Sequence, residues 1–349
     1  GSLLYAQNMA FYEIFTSVCR KTRGTPLPIF SGQLSSGPNG PLVFFLVLNA
    51  TSACCLIVYY LLIFNLINFL LFIGKFESNK IYNSELPHAR KGNPLAGYVD
   101  SWPFIWKKFA DLGYITLFGE DQPSGGMFVW SLTGFKNQPT DLYLRTYYLE
   151  AVKHFSKHPH LCLGSRPRHM RMLEAVKDLY KHYQDVPKFS YISHCEISHN
   201  FESVKSIQNV DQDLKEYLHD FKRSGLLNNT LLIVMGDHGA RFAELRNTTQ
   251  GRQEERLPFV SVILPENFKK TYPQAVQNLK ANSKHLTTNF DFHETLLHLP
   301  YYPHKQNQRW HRGLPRGLNL FEPIPPDRSC SQAAVAPHWC SCLRWKHVD

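Results

Sequence analysis

A chain of 349 residues that is 43% hydrophobic, 13% aromatic and 19% charged is long enough for one large core or two ordinary ones, and its composition excludes global disorder. The net charge of +10 raises nucleic acid as a partner, but the basic residues are dispersed, with no long Lys/Arg run and no nucleic-acid motif. That leaves no nucleic-acid role and favours an anionic ester or glycan-type substrate against a basic surface.

Residues 1–40 read as a poorly defined leader ending in the turn-rich SGQLSSGPNGP, without the basic-then-apolar pattern of a signal peptide. Residues 41–75 form an apolar segment, running from Leu42 to Ile73 and densest from Leu56. Its length and hydropathy suit a membrane-spanning helix, and with it membrane association. Its aromatic and β-branched residues, interrupted by Asn65 and Asn68, suit the first buried strands of a parallel sheet equally well. Residues 76–349 then form the main α/β domain and its Cys-rich tail.

Three helix–strand units follow in that domain. In the first, Ser101 caps a helix with Pro103 just inside it, Gly113 stops the helix, and YITLF is a strand ending at Gly119-Glu120-Asp121. In the second, Met172, Ala175, Leu179 and Tyr183 recur at helical spacing over residues 169–184, Pro187 breaks the helix, and KFSYIS runs into His194, Glu196 and His199. In the third, Val210, Leu214, Leu218 and Phe221 make an apolar stripe on a helix starting near Asp211, so that Asp211 and Asp213 serve its first turn. Gly225 ends that helix, and TLLIVMG is an apolar strand ending at Asp237-His238. A further strand, FVSVIL, and helical patterning over about 289–298 complete the domain.

A strand as apolar as TLLIVM is buried on both faces, which means a parallel sheet covered by helices. Right-handed crossovers then bring the three strand ends to one edge, where ligands bind in open α/β sheets. All three end in acids or histidines. Carboxylate beside imidazole suits a divalent cation, zinc or calcium foremost, which polarises a phosphoryl or sulfuryl oxygen or acidifies a bound water. Asp237 and His238 are the leading metal ligands, flanked by Gly236 and Gly239. Glu196 and His199 are further ligand candidates. Glu120 and Asp121 line the pocket, and Arg241 is placed to neutralise an anionic ester, its bland alternative being a solvated basic loop. His293, on a helix with Phe290 and Leu297, reads as a core histidine.

Eight cysteines occur, and Cys330, Cys340 and Cys342 crowd the tail RSCSQAAVAPHWCSC, a pattern that fits a disulfide staple in an oxidising compartment and no zinc finger. Sequons at Asn49, Asn228 and Asn247 agree with a secretory route, with the main domain extracellular or facing a lumen.

The segments GDHGARF and RNTTQGRQEERLP resemble the sulfatase-like "domain of unknown function 229" family of the alkaline-phosphatase superfamily. WPFIWKKFADLGYITLFGED, GFKNQPTDLYLR, EISHN, LTTNFDFHETL and LFEPIPPDRSCSQAAVAPHWCSC match it too, so the resemblance runs from about residue 65 to residue 345. It implies an α/β/α sandwich with a mostly parallel central sheet and metal-assisted hydrolysis of phosphate or sulfate esters. It also implies metal ligation by Asp237 and His238, supports Glu196 and His199, and sets Glu120 and Asp121 in the pocket. One departure stands out. The superfamily's first strand ends in an aspartate ligand followed by a nucleophile; here PLVFFLVLNATSA carries Asn49 in that place, and Thr51, Ser52, Cys54 and Cys55 match no nucleophile position. No catalytic residue is therefore assigned, and an inactive ligand- or glycan-binding ectodomain of the same fold is the alternative to a working hydrolase.

Overall fold

The computed structural model describes residues 10–11, 42–48, 86–154, 162–195, 203–238, 247–303 and 317–342. The strands in chain order are β1 (Ala10–Phe11), β2 (Leu42–Leu48), β3 (Ile115–Glu120), β4 (Leu142–Tyr143), β5 (Cys162–Leu163), β6 (Arg166–Pro167), β7 (Lys188–His194), β8 (Thr230–Met235) and β9 (Phe259–Ile263). Among the described residues, seven of them build one sheet in the order β1-β9-β8-β2-β7-β3-β4, and β5 and β6 pair separately. From β8 across to β4 every pairing is parallel; β9 runs antiparallel to β8. The expected α/β fold with a mostly parallel sheet is therefore present.

The apolar segment opens as sheet. Leu42–Leu48 is the strand between β7 and β8, hydrogen-bonded to both. No helix among the described residues is long and apolar enough to cross a membrane, and residues 49–73 of the segment lie outside them. Within the leader, Ala10–Phe11 pairs with β9 at the sheet's edge.

Strand alternation sorts the core into two layers. On one face Phe118, Phe189, Tyr191, Leu231, Ile233 and Met235 pack against helices α1 (Ile105–Asp111), α7 (Pro273–Asn282) and α8 (Asn289–His298). On the other, Leu117, Ile192, Leu232 and Val234 meet α2 (Arg145–Ala151), α3 (Arg168–His182) and α4 (Ser203–Arg223). That is the α/β/α sandwich. The short helices α5 (Thr249–Arg256) and α6 (Glu266–Thr271) flank β9 in the chain.

Glycine supplies the helix stops. Gly113 and Gly225 sit at φ 81° and 74° after α1 and α4, a conformation glycine adopts without a Cβ clash. Three local expectations are corrected. Ser101 closes a short 3₁₀ turn, and α1 begins only at Ile105 with Phe104 at its cap. The buried stripe of α3 is Met172, Leu173, Val176, Leu179 and Tyr180, with Tyr183 exposed past the helix end. Helix α4 starts at Ser203, so Asp211 and Asp213 sit in its middle rather than in its first turn.

Candidate metal-binding site at the sheet edge

Register fixes how the strand ends line up. Glu120 of β3 lies opposite Ser193 of β7, His194 opposite Leu48 of β2, and Val47 opposite Met235 of β8. One edge of the sheet thus carries Asp237-His238, the end of β2, His194-Cys195 and Glu120-Asp121 in spatial order. With strands about 4.8 Å apart, β8 and β3 stand roughly 14 Å from each other.

Asp237 is fully buried and His238 nearly so. Asp237 Oδ1 accepts a hydrogen bond from the His238 backbone N–H at 2.9 Å. Its other oxygen, Oδ2, lies 3.4 Å from His238 Nε2 and accepts no hydrogen bond among the described residues. A buried carboxylate oxygen without a donor is costly. A cation would satisfy it: two ligand atoms held about 2.1 Å from a tetrahedral zinc stand about 3.4 Å apart. The donor set, one carboxylate oxygen and one imidazole nitrogen, fits a divalent ion.

At the β3 end the loop folds back over the acid. Glu120 Oε1 accepts a hydrogen bond from Met127 N–H at 2.8 Å, and a Cβ on Gly126 would stand 2.4 Å from Oε2, so a side chain there would push the carboxylate aside. Burial, above the opposing pull of the Met127 N–H, pushes the Glu120 carboxyl up to about 7, with Asp121 raising it further and Arg145 drawing it down. Asp121 ties β3 to β7. Its Oδ1 accepts from Cys195 N–H at 2.7 Å, and its Oδ2 lies 3.5 Å from His194 Nδ1. Burial also holds the Cys195 thiol well above its usual range; Asp121, Glu120 and Asp237 act in the same direction, which sets this thiol within electrostatic reach of both acidic groups.

Behind His194, His169 in the first turn of α3 is buried, with Nε2 2.7 Å from Asp213 Oδ2. Burial lowers the proton affinity of His169 against the pull of Asp213, and His194 lowers it further.

Of the residues expected at the site, the structure brings Glu120, Asp121, Asp237 and His238 to one edge. Glu196, His199 and Arg241 lie outside the described residues. His293 is buried on α8 beside the core residues Phe292 and Leu296, as a core histidine. Sequence reasoning gave no role to Arg145, whose Nε donates to Pro123 O at 3.0 Å and whose charge acts on Glu120, nor to His169. Arg145 closes the GFKNQPTDLYLR segment, which was the only signal for it.

The raised Glu120 carries a pH prediction. In the folded chain its carboxyl stays protonated up to near pH 7, whereas in the unfolded chain it ionises from about pH 4.5, so stability falls as pH rises between those values. Without divalent cation, Glu120→Gln is expected to remove this slope and stabilise the fold at pH 8 by on the order of 1–3 kcal/mol. Thermal melts in chelator across that pH range check it; an unchanged slope contradicts the assignment.

A helix-covered, mostly parallel sheet that gathers buried acids and histidines at one edge defines an α/β/α-sandwich protein. The family model described as "Protein of unknown function (DUF229)" matches residues 65–349, and the chain belongs to that family. Among solved structures, it is similar to the lipoteichoic acid synthase LtaP from Listeria monocytogenes, at 13% identity and a TM-score of 0.35 over 57% of this chain and 52% of that one. It is also similar to Ps i-CgsB, solved in complex with k-i-k-neocarrahexaose, at 15% identity and a TM-score of 0.39 over 72% of this chain and 63% of that one. The chain thus spans between half and two thirds of the length of these two structures. No curated protein matches it.

Proposed function

We propose that the protein is a sulfatase/phosphatase-like hydrolase that uses a divalent cation, zinc or calcium, on phosphate or sulfate esters. The observation that carries this reading is Asp237 Oδ2, buried without a hydrogen-bond donor among the described residues and 3.4 Å from His238 Nε2. Asp237 and His238 hold the cation, and Glu196 and His199 complete its ligands. When bound, the cation supplies Lewis-acid polarisation of the ester oxygen. Glu120 and Asp121 shape the pocket at the β3 end, and Arg241 meets the anionic part of an ester or glycan-type substrate. Around neutral pH, Glu120 is poised to hold or give up a proton at its carboxyl.

One observation favours a second reading, an inactive ligand- or glycan-binding ectodomain. β2 reaches the site edge and ends at Leu48, and the next residue is Asn49 rather than an acid, with no aligned nucleophile after it. A screen of aryl phosphates and aryl sulfates separates the two. Turnover that chelator abolishes and Asp237→Ala eliminates supports the hydrolase; cation or glycan binding without turnover supports the second reading, and full activity in Asp237→Ala sinks the metal assignment.

We also propose passage through the secretory pathway, with the main domain outside the cytosol. The Cys330–Cys340 disulfide and the exposed sequon residues Asn228 and Asn247 support it. Expression in a secretory host should give a glycosidase-sensitive mobility shift, lost when both asparagines become Gln. Membrane association belongs to the same proposal and rests on residues 49–73.

A further inference from the structure

The C-terminal tail brings three sulfurs together. Cys330 and Cys340 form a disulfide, and Cys342, exposed, places its Sγ 3.6 Å from Cys330 Sγ. All three sulfurs lie within 4.8 Å of one another, and among the described residues no other three His, Cys, Asp or Glu ligand atoms come so close. The tail is anchored just before this cluster, because Arg328, two residues ahead of Cys330, is held by buried bonds to Asp291 Oδ2 and Leu286 O. Cys330 thus sits on a fixed base, while Cys340 and Cys342 follow one another on the returning strand of chain.

Exchange proceeds by thiolate attack on one sulfur along the axis of the bond that breaks. The Cys342 thiol lies within reach of Cys330 Sγ, and a rotation of its exposed side chain is needed to bring it into that line. The geometry points to a thiol–disulfide exchange site in which Cys330 is shared between two partners, Cys340 and Cys342. In the forward step the Cys342 thiolate attacks Cys330 Sγ and a Cys330–Cys342 bond forms. The Cys330–Cys340 bond breaks, its electron pair leaves on Cys340 Sγ, and that thiolate takes up the proton Cys342 gave to solvent. No external oxidant or reductant enters. Both isomers keep one disulfide and one thiol, and the exposed member of the pair is the thiol through which a redox partner or small thiol gains access.

The full chain, purified without reductant, tests this. Acid quenching, alkylation with N-ethylmaleimide and peptide mass spectrometry locate the free thiol. We expect two populations, one alkylated at Cys342 with Cys330–Cys340 intact and one alkylated at Cys340 with Cys330–Cys342 formed. Cys340→Ser should retain a disulfide at Cys330, now to Cys342, and Cys342→Ser should give Cys330–Cys340 alone. The proposal is overturned if the wild type shows alkylation at Cys342 only after prolonged incubation at neutral pH. It is equally overturned if Cys340→Ser leaves Cys330 and Cys342 both alkylated, if Cys342 is bonded to another cysteine such as Cys162, or if all three are blocked by a bound zinc ion. Wild-type mapping decides the matter even where a variant fails to fold.

Discussion

Asp237→Asn is expected to lower the affinity for a divalent cation by at least about a hundredfold, more than the loss of a supporting residue behind a ligand costs. The same change should stabilise the cation-free protein. Asp237 Oδ2 is buried and undonated among the described residues, so the wild-type carboxylate burdens the fold unless a cation sits against it. Replacing it with a neutral amide of the same shape removes that burden, by on the order of 1–3 kcal/mol. The two effects have opposite signs. Melts in chelator should show the variant above the wild type; melts in excess zinc or calcium should show the reverse, since a ligand at a hundred times its Kd adds about 2.7 kcal/mol to the form that binds it. A purely structural polar turn predicts loss of stability in both conditions.

Arg328→Met is expected to destabilise the fold by about 3–5 kcal/mol, the cost of stranding one member of a buried ion pair. Arg328 Nη1 donates to Asp291 Oδ2 at 2.8 Å and to Leu286 O at 3.2 Å, and the two side chains are 4% and 0% exposed. Asp291 is a hub. Its Oδ2 also accepts from Thr288 N–H at the start of α8, and its Oδ1 accepts from Leu318 N–H at 2.7 Å. One carboxylate therefore binds helix α8, the 317–324 segment and the disulfide-bearing tail. Urea denaturation of Arg328→Met checks the size of the loss. Adding Asp291→Asn should recover part of it, because the uncompensated charge carries most of the cost; no recovery would mean that the tail's packing, rather than the charge, is what Arg328 supplies.

The parallel strands were legible because their signals are local. TLLIVM, YITLF and KFSYIS are each bounded by a helix stop and by polar residues, and the ends of β3, β7 and β8 fall within two residues of those runs. The ends of those strands gave the acids and histidines, and right-handed crossovers gave their common edge. What stayed hidden depends on pairing across the chain. His169 and Asp213 are 44 residues apart, and nothing near either announces their 2.7 Å contact. Asp121 reaches the backbone of Cys195 across 74 residues. Helix α4 begins at Ser203, seven residues ahead of Val210, the first member of the apolar stripe read from the sequence, and the polar Ser203, Lys205 and Ser206 hid its opening turns. The direction of β9 follows from the Gly236 N–H bond to Phe259 O, which joins the end of β8 to the start of β9; composition carries no sign of it. The apolar run at 42–73 was ambiguous for a different reason: a strand inside a parallel sheet and a membrane helix ask for the same residues, and only the pairing of Leu42–Leu48 with both β7 and β8 distinguishes them over that stretch.

Cation content measured after equilibrium dialysis, for the wild type beside Asp237→Asn, tests the central claim most directly. The account predicts about one zinc or calcium ion per wild-type chain, as a single Asp-His site requires, and its loss in the variant. A wild-type chain that retains no divalent cation, or a variant that retains as much as the wild type, contradicts it.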